Sequence, residues 1–195
     1  MPVMLHVLPV RSGGAAGNMA LDFLLLQRYP DAAQPRFRHY GWQRPAVTFG
    51  YAQKVAFVRG QLPAMAGEAG VPLDLCRRPT GGGIVDHRDD WTYALVIPRG
   101  HPLEEVRASE SYRVVHEALA VALRAQGVRA ATKQRTDDDA EEPAGAGVCF
   151  QRAEISDLVH EGTGVKIAGA AQKRNKRGLL LQGSVWRPAA GGDAV

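Results

Sequence analysis

The last third of the chain leaves little freedom of topology. Three apolar, β-rich stretches, Ile155 to His160, Val165 to Ala171 and Leu179 to Trp186, follow one another with only short polar links. HEGTG, between the first two, reads as a hairpin turn, and KRNKR (Lys173 to Arg177) as a charged turn. Links this short join antiparallel strands, because a parallel crossover takes a dozen or more residues. The same pattern occurs upstream. Arg36 to Trp42 and Pro45 to Tyr51 are strand-like, and GWQRP between them reads as a hairpin connection. Met4 to Val10, Val71 to Arg78, Trp91 to Ile97 and Val128 to Thr132 complete the expected strands.

Helices are fewer. Ser109 to Gln126 is the clearest: Tyr112, Val115, Leu119, Ala122 and Leu123 fall along one face, and Gly127 ends it. Asn18 to Arg28 places Met19, Phe23 and Leu26 at helical spacing, with Asn18 as the expected N-cap and Pro30 as the stop. Phe57 to Gly67 reads as a short helix interrupted at Pro63. Neither a strand–GxxxxGK[ST]–helix unit nor GxGxxG occurs, which argues against a P-loop or dinucleotide site. The expected fold class is α+β, a mostly antiparallel mixed sheet with flanking helices.

The 195 residues suit one domain, expected over residues 1–187, with 188–195 as a flexible Pro/Ala/Gly tail. The net charge of +4 comes mainly from arginine; only five lysines are present. The basic residues are scattered and match no nucleic-acid motif. No apolar run approaches the ~20 residues that span a bilayer. The opening MPVMLHVLPVRSGG reads as a strand, not a signal peptide. Two cysteines, Cys76 and Cys149, make no disulfide framework and no CxxC metal pattern, so a reduced, cytoplasmic protein is expected.

Two constellations carry chemistry. RRPTGGGIVDH (Arg77 to His87) sets three glycines after a strand. Gly81, Gly82 and Gly83 let the backbone approach a ligand closely, Arg77 and Arg78 suit a phosphate or carboxylate, and His87 suits substrate positioning or proton transfer. The alternative for this stretch is a glycine-rich hairpin with exposed arginines. Asp86, Asp89 and Asp90 cluster beside His87, but their spacing matches no metal-ligand pattern, and no metal site is expected. His39 and His116 read as ordinary packing or surface residues.

The second constellation runs from Cys149 to Ser184. Cys149 follows TDDDAEEPAGAG, an acidic turn-rich segment that reads as a solvated loop. Lys166 stands between apolar Val165 and Ile167 and is followed by Gly169, Ala170 and Ala171, small enough for a ligand chain to lie against the backbone. A thiol can carry an acyl group, and an ammonium beside it lowers the thiol's pKa. Taken singly, a buried inert cysteine and a surface lysine are the plainer readings.

GNMALD (Gly17 to Asp22), RHYGWQRPAVTFGYAQ (Arg38 to Gln53), RRPTGGGIVDH, DDWTYALVIP (Asp89 to Pro98) and DLVHEGTGVKIAGAAQKR (Asp157 to Arg174) resemble, in order, the motifs of the lipoate–protein ligase A family, in the superfamily of biotin ligases and octanoyltransferases. The resemblance implies a mixed, largely antiparallel sheet with flanking helices around a tunnel for a medium-chain acyl group. It also implies that Lys166 is the family's site lysine and that the RRPTGGG turn lines the acyl pocket. Cys149-Phe150 resembles the dipeptide of a cysteine-dependent octanoyltransferase branch. On that likeness an octanoyl or lipoyl group passes from an acyl carrier protein to Cys149. It then passes to a lysine of an apo lipoyl domain, such as the glycine cleavage H protein or a dehydrogenase E2 subunit, with no cofactor. An ATP-dependent lipoate–protein ligase, using ATP and Mg to form a lipoyl-adenylate, is the alternative, and Gly83 stands closer to that form. A non-catalytic module that binds lipoyl domains is the third. Family members usually continue beyond the GSV strand, so the family's C-terminal extension is expected to be absent here.

Overall fold

In the computed structural model, residues 4–28, 34–65, 72–134 and 153–187 are described. The larger sheet is built around a long antiparallel pair. β7 (Asp90–Pro98) runs against β11 (Gly178–Trp186) in unbroken register, from Gly178 opposite Pro98 to Trp186 opposite Asp90. On one side β7 pairs with β3 (Arg36–Trp42), which takes β1 (His6–Val7) and β2 (Arg11–Gly13) as parallel neighbours. On the other side β11 forms a hairpin with β10 (Lys166–Asn175), followed by β9 (Leu158–His160) and β8 (Ala130–Thr132), all antiparallel. A smaller sheet has the order β5–β4–β6: β4 (Ala46–Phe49) pairs in parallel with β5 (Asp74–Arg77) and antiparallel with β6 (Ile84–Asp86). The helices are α1 (Ala15–Gln27), α2 (Val55–Met65), α3 (Pro102–Glu105) and α4 (Ala108–Arg124).

The central strands are covered on both faces, so their apolar residues run consecutively and do not alternate with polar ones. Leu180 of β11 packs with Met19 and Leu26 of α1, while its neighbour Leu181 packs on the opposite side with the α4 residues Tyr112, Val115 and Leu119. Along β7, Ala94 and Val96 face α1, and Tyr93 and Leu95 face α4. A third cluster, Val47, Phe49, Val58 and Ile84, joins the small sheet to α2. The architecture is the expected α+β arrangement with helices flanking a largely antiparallel sheet.

Several local expectations are corrected. GWQRP is not a hairpin connection, because β3 and β4 belong to different sheets. Asn18 is not an N-cap: α1 begins at Ala15 after Gly14, and Asn18 is a buried residue within the helix. Its amide donates to the carbonyls of Gly13 (3.3 Å) and Gly41 (3.1 Å), and its Oδ1 accepts from Arg38 (3.0 Å). The helix ends at Gln27, before Pro30 is reached. On α4, Ala120, not Ala122, is buried, and His116 shares its buried face. Gly127 does follow α4 with a φ of +86°, as a helix stop requires. α2 continues through Pro63 to Met65.

Buried polar residues explain why α1 lacks a clean apolar stripe. Asp22, fully buried, accepts from Arg38 (2.5 Å), Tyr40 (2.8 Å) and Gln182 (2.7 Å). Burial raises its pKa, with the Arg38 charge acting against that rise. Gln182 Oε1 in turn accepts from Thr80 (2.7 Å), so this network ties α1 and β3, through β11, to the glycine-rich turn. A buried polar group costs stability unless it is bonded, and here the bonds close on one another.

Candidate active site

Lys166 opens β10 with its side chain only 8% exposed. Its Nζ lies 2.6 Å from Oδ2 of Asp157, itself 1% exposed. An ammonium buried alone would be costly, and the carboxylate offsets that cost. Asp157 is held on several sides. Its Oδ1 accepts from the Tyr112 hydroxyl, and its Oδ2 accepts from the Glu154 N–H (2.7 Å). Its backbone carbonyl accepts from Lys133 N–H (2.7 Å). The Tyr112 oxygen also accepts from Ala170 N–H (2.9 Å), which links α4 to β10 next to the lysine. Burial and then the Asp157 charge push the Tyr112 pKa far above the usual phenol range, so Tyr112 is the donor in this pair.

Gly169 is small for a reason the sequence did not reveal. A β-carbon there would stand 2.7 Å from Cε and 2.8 Å from Nζ of Lys166, and 3.1 Å from Asp157 Oδ1. The expected space for a ligand chain above Gly169 is therefore taken by the lysine itself. Gly169, Ala170 and Ala171 still line the neighbouring cavity.

The two arginines of RRPTGGG part company. Arg78 turns inward: Nη1 donates to Thr48 Oγ1 (2.8 Å), and Nη2 donates to the carbonyls of Gly81 (2.9 Å) and Gly83 (2.8 Å). It braces the glycine turn from inside. Arg77, on the opposite face of β5, is exposed; it donates to the carbonyls of Tyr51 and Gln53 and lies 4.9 Å over the Phe49 ring. The expectation that Arg77 faces substrate is not matched, because strand alternation sends it away from the cavity. Gly82 lines the cavity with a φ of +85°, where a β-carbon would crowd Arg78 Nη2 at 3.2 Å. Gly81 stands in open space by the same measure, and Gly83 contributes its carbonyl.

His87 lines the cavity with both ring nitrogens engaged. Nδ1 donates to Asp90 (2.6 Å), and Nε2 lies 2.7 Å from Thr48 Oγ1. Thr48 Oγ1 also accepts from Arg78. The imidazole stacks on Trp42 at 4.3 Å, and Asp90 also accepts from Ser184 and Thr92. This arrangement orients the ring and leaves neither nitrogen for proton transfer to a substrate.

The cavity holds about 510 Å³ of empty space, part of it open to solvent. Met19, Tyr40, Val85 and Ala171 give it apolar walls; Lys166, Arg78, Gln182 and Ser184 give it polar points. The structure thus brings Lys166, Arg78, Gly82, His87, Gly169 and Ala170 together. Cys149 lies outside the described residues, as does the acidic segment from Thr136 to Gly147. Asp157, Tyr112, Thr48, Gln182 and Ser184 were not singled out from sequence; Asp157 at the head of DLVHEGTGVK was the available signal. Among the described residues, no group of three or more His, Cys, Asp or Glu side chains is placed to hold a metal ion.

Residues 15–186 match the model of the lipoyl protein ligase A/B catalytic domain. The chain belongs to this family. It is 35% identical over 175 residues to an octanoyltransferase LipM of Anoxybacillus flavithermus and 36% identical to that of Geobacillus kaustophilus, in each case covering 87% of this chain and 60% of the relative. A LipM of Kyrpidia tusciae is 32% identical over 184 residues, covering 92% of this chain and 65% of the relative. The chain therefore spans about 60% of the length of the first two relatives. Among solved structures, a T. acidophilum lipoate protein ligase with bound lipoic acid superposes with a TM-score of 0.68 at 21% identity, over 95% of this chain and 67% of that one. A lipoate-protein ligase A bound with ATP gives 0.66 at 22% identity, over 95% and 67%. The fold is thus that of the lipoate ligase catalytic domain.

Proposed function

We propose that this chain transfers an octanoyl group, through a thioester on Cys149, to a lysine of a lipoyl carrier domain. The observation that carries the proposal is Lys166: a cation held by Asp157 in the wall of an apolar cavity. The relatives named octanoyltransferase LipM support the same activity. Four residues of sequence separate Cys149 from Glu154, whose N–H binds the carboxylate that holds Lys166.

The steps balance without ATP or a metal. The Cys149 thiol gives up its proton, and the thiolate attacks the carbonyl of an octanoyl thioester on an acyl carrier protein; the C–S bond to the carrier breaks, and the departing carrier thiolate takes up one proton in exchange for the one Cys149 lost. The lysine amine of the acceptor domain then attacks the Cys149 thioester, forming an amide and returning the thiol. In this reading the positive charge of Lys166 favours the thiolate in the first step and the departing thiolate in the second. The apolar walls take the alkyl chain, and the turn braced by Arg78 closes one side of the site. In this reading residues 1–187 form one acyltransferase/ligase-like catalytic domain.

Intact-mass spectrometry tests the proposal. Incubation with octanoyl carrier protein is expected to add one octanoyl mass, mapped to Cys149 and absent in Cys149→Ser. Acyl transfer that survives Cys149→Ser refutes it. Formation of a lipoyl-adenylate from lipoate and ATP identifies a ligase instead. Binding of a lipoyl domain with neither product identifies a binding module.

A further inference from the structure

His116, on the buried face of α4, is in contact with the site but has no part in the chemistry above. We infer that His116 is a positioning residue that holds the Ser156 peptide in a left-handed conformation and so aims Asp157 at Lys166.

Ser156, with a φ of 69°, is the one non-glycine residue at positive φ among the described residues. A serine adopts that conformation only where its surroundings hold it. Two bonds do so: Ser156 N–H donates to the Lys133 carbonyl (2.9 Å), and the Ser156 carbonyl accepts from His116 Nδ1 (2.6 Å). The next residue is Asp157. The reversal at Ser156 lets the Asp157 carboxylate turn back to the Glu154 N–H at 2.7 Å while it faces Lys166 Nζ at 2.6 Å.

A carbonyl oxygen only accepts, so the proton of neutral His116 sits on Nδ1. That leaves a lone pair on Nε2, which is buried and has no partner among the described residues. Leucine would fill the same buried position without stranding a nitrogen. Packing alone therefore does not account for a histidine with 0% exposure; the Nδ1–H bond to Ser156 does. Tyr112, one helical turn earlier, stacks edge-on against the ring at 4.2 Å and bonds the same Asp157. One face of α4 thus grips Asp157 twice, at its carboxylate and at the peptide before it.

The kinetic part of the test rests on the octanoyltransferase proposal; the labelling part does not. His116→Leu removes the Nδ1–H donor, and His116→Asn keeps a donor at nearly the same place. Lys166 labelling by an amine-reactive acetyl ester, read by peptide mass with Lys173 as reference, is expected to rise about 5-fold in His116→Leu and to stay within about 2-fold in His116→Asn, because an ammonium released from its carboxylate becomes accessible. In octanoyl transfer, kcat is expected to fall about 10-fold in His116→Leu with little change in KM, and to recover in His116→Asn. Wild-type labelling of Lys166 in His116→Leu overturns the inference, whether or not the chain proves to be a transferase. Should the leucine variant not fold, long-range ¹H–¹⁵N spectra of the unsubstituted protein decide: an Nδ1–H tautomer supports the inference, and an Nε2–H tautomer overturns it.

Discussion

Gly169 and Lys166 compete for one small volume: a β-carbon on Gly169 would stand 2.7 Å from the lysine's Cε and 2.8 Å from its Nζ. Gly169→Ala is therefore a substitution directed at Lys166, made three residues away. The lysine's far end can move, so the fold should lose less than about 1 kcal/mol. The ammonium should be pushed out of its place in the cavity wall while it keeps Asp157 as its partner, and acyl transfer should fall about 10- to 100-fold. Paired thermal melts and single-turnover rates check this; equal losses in both would mean that the glycine serves the strand and not the lysine.

Asp157→Asn keeps the shape of the side chain and removes its charge. Lys166 is then a buried ammonium without its carboxylate, and stability should drop by about 3 kcal/mol in urea unfolding. Replacing both partners, Asp157→Asn with Lys166→Met, should recover part of that loss, since a buried pair exchanged for apolar atoms is often nearly neutral. Additive losses in the double variant would show that the two residues are not coupled.

Part of this site was legible because Lys166, one of five lysines, stands between apolar Val165 and Ile167 and ahead of the small residues Gly169, Ala170 and Ala171; the structure buries it. β3 was legible to the residue, Arg36 to Trp42, from its alternating basic and aromatic residues, with Phe37 and Tyr40 slightly out of phase. What failed has a common cause. Local pattern reports which face a side chain takes, not which partner it meets. β4 was apolar enough to be a strand, yet nothing in PAVTFGY told that it leaves the sheet of β3. Asn18 looked like a cap because a polar residue ahead of an apolar run usually is one. Its true partners, Arg38 and the carbonyls of Gly13 and Gly41, lie on other elements. Asp157 and His116 were passed over for the same reason: each is explained by residues tens of positions away.

Burial lowers the pKa of His116, and the nearby Lys166 charge acts in the same direction; the Ser156 bond and the Asp157 charge oppose them. The unfolded chain then binds a proton at this histidine more readily than the folded one, so its contribution to stability is complete above about pH 6.5 and shrinks as pH falls below it. Urea midpoints measured downward from about pH 7.5 to 5.5 should decline, and the decline should be shallower in His116→Leu. An equal slope in the two proteins would assign the pH dependence to other groups.

Arg78 makes a prediction that separates binding from chemistry. Its two terminal nitrogens span three acceptors: Thr48 on β4 and the carbonyls on either side of Gly82. Lysine has one nitrogen and cannot reach both the hydroxyl and the turn. In Arg78→Lys, Thr48 loses a donor and the turn loses its internal brace. The turn lines the cavity beside Ala171. KM for the acyl donor should therefore rise about 10-fold while kcat stays within about 3-fold, with about 1–2 kcal/mol lost in stability for the missing buried bonds. A fall in kcat at unchanged KM would place Arg78 at the reacting carbonyl, outside the bracing role that its three acceptors define.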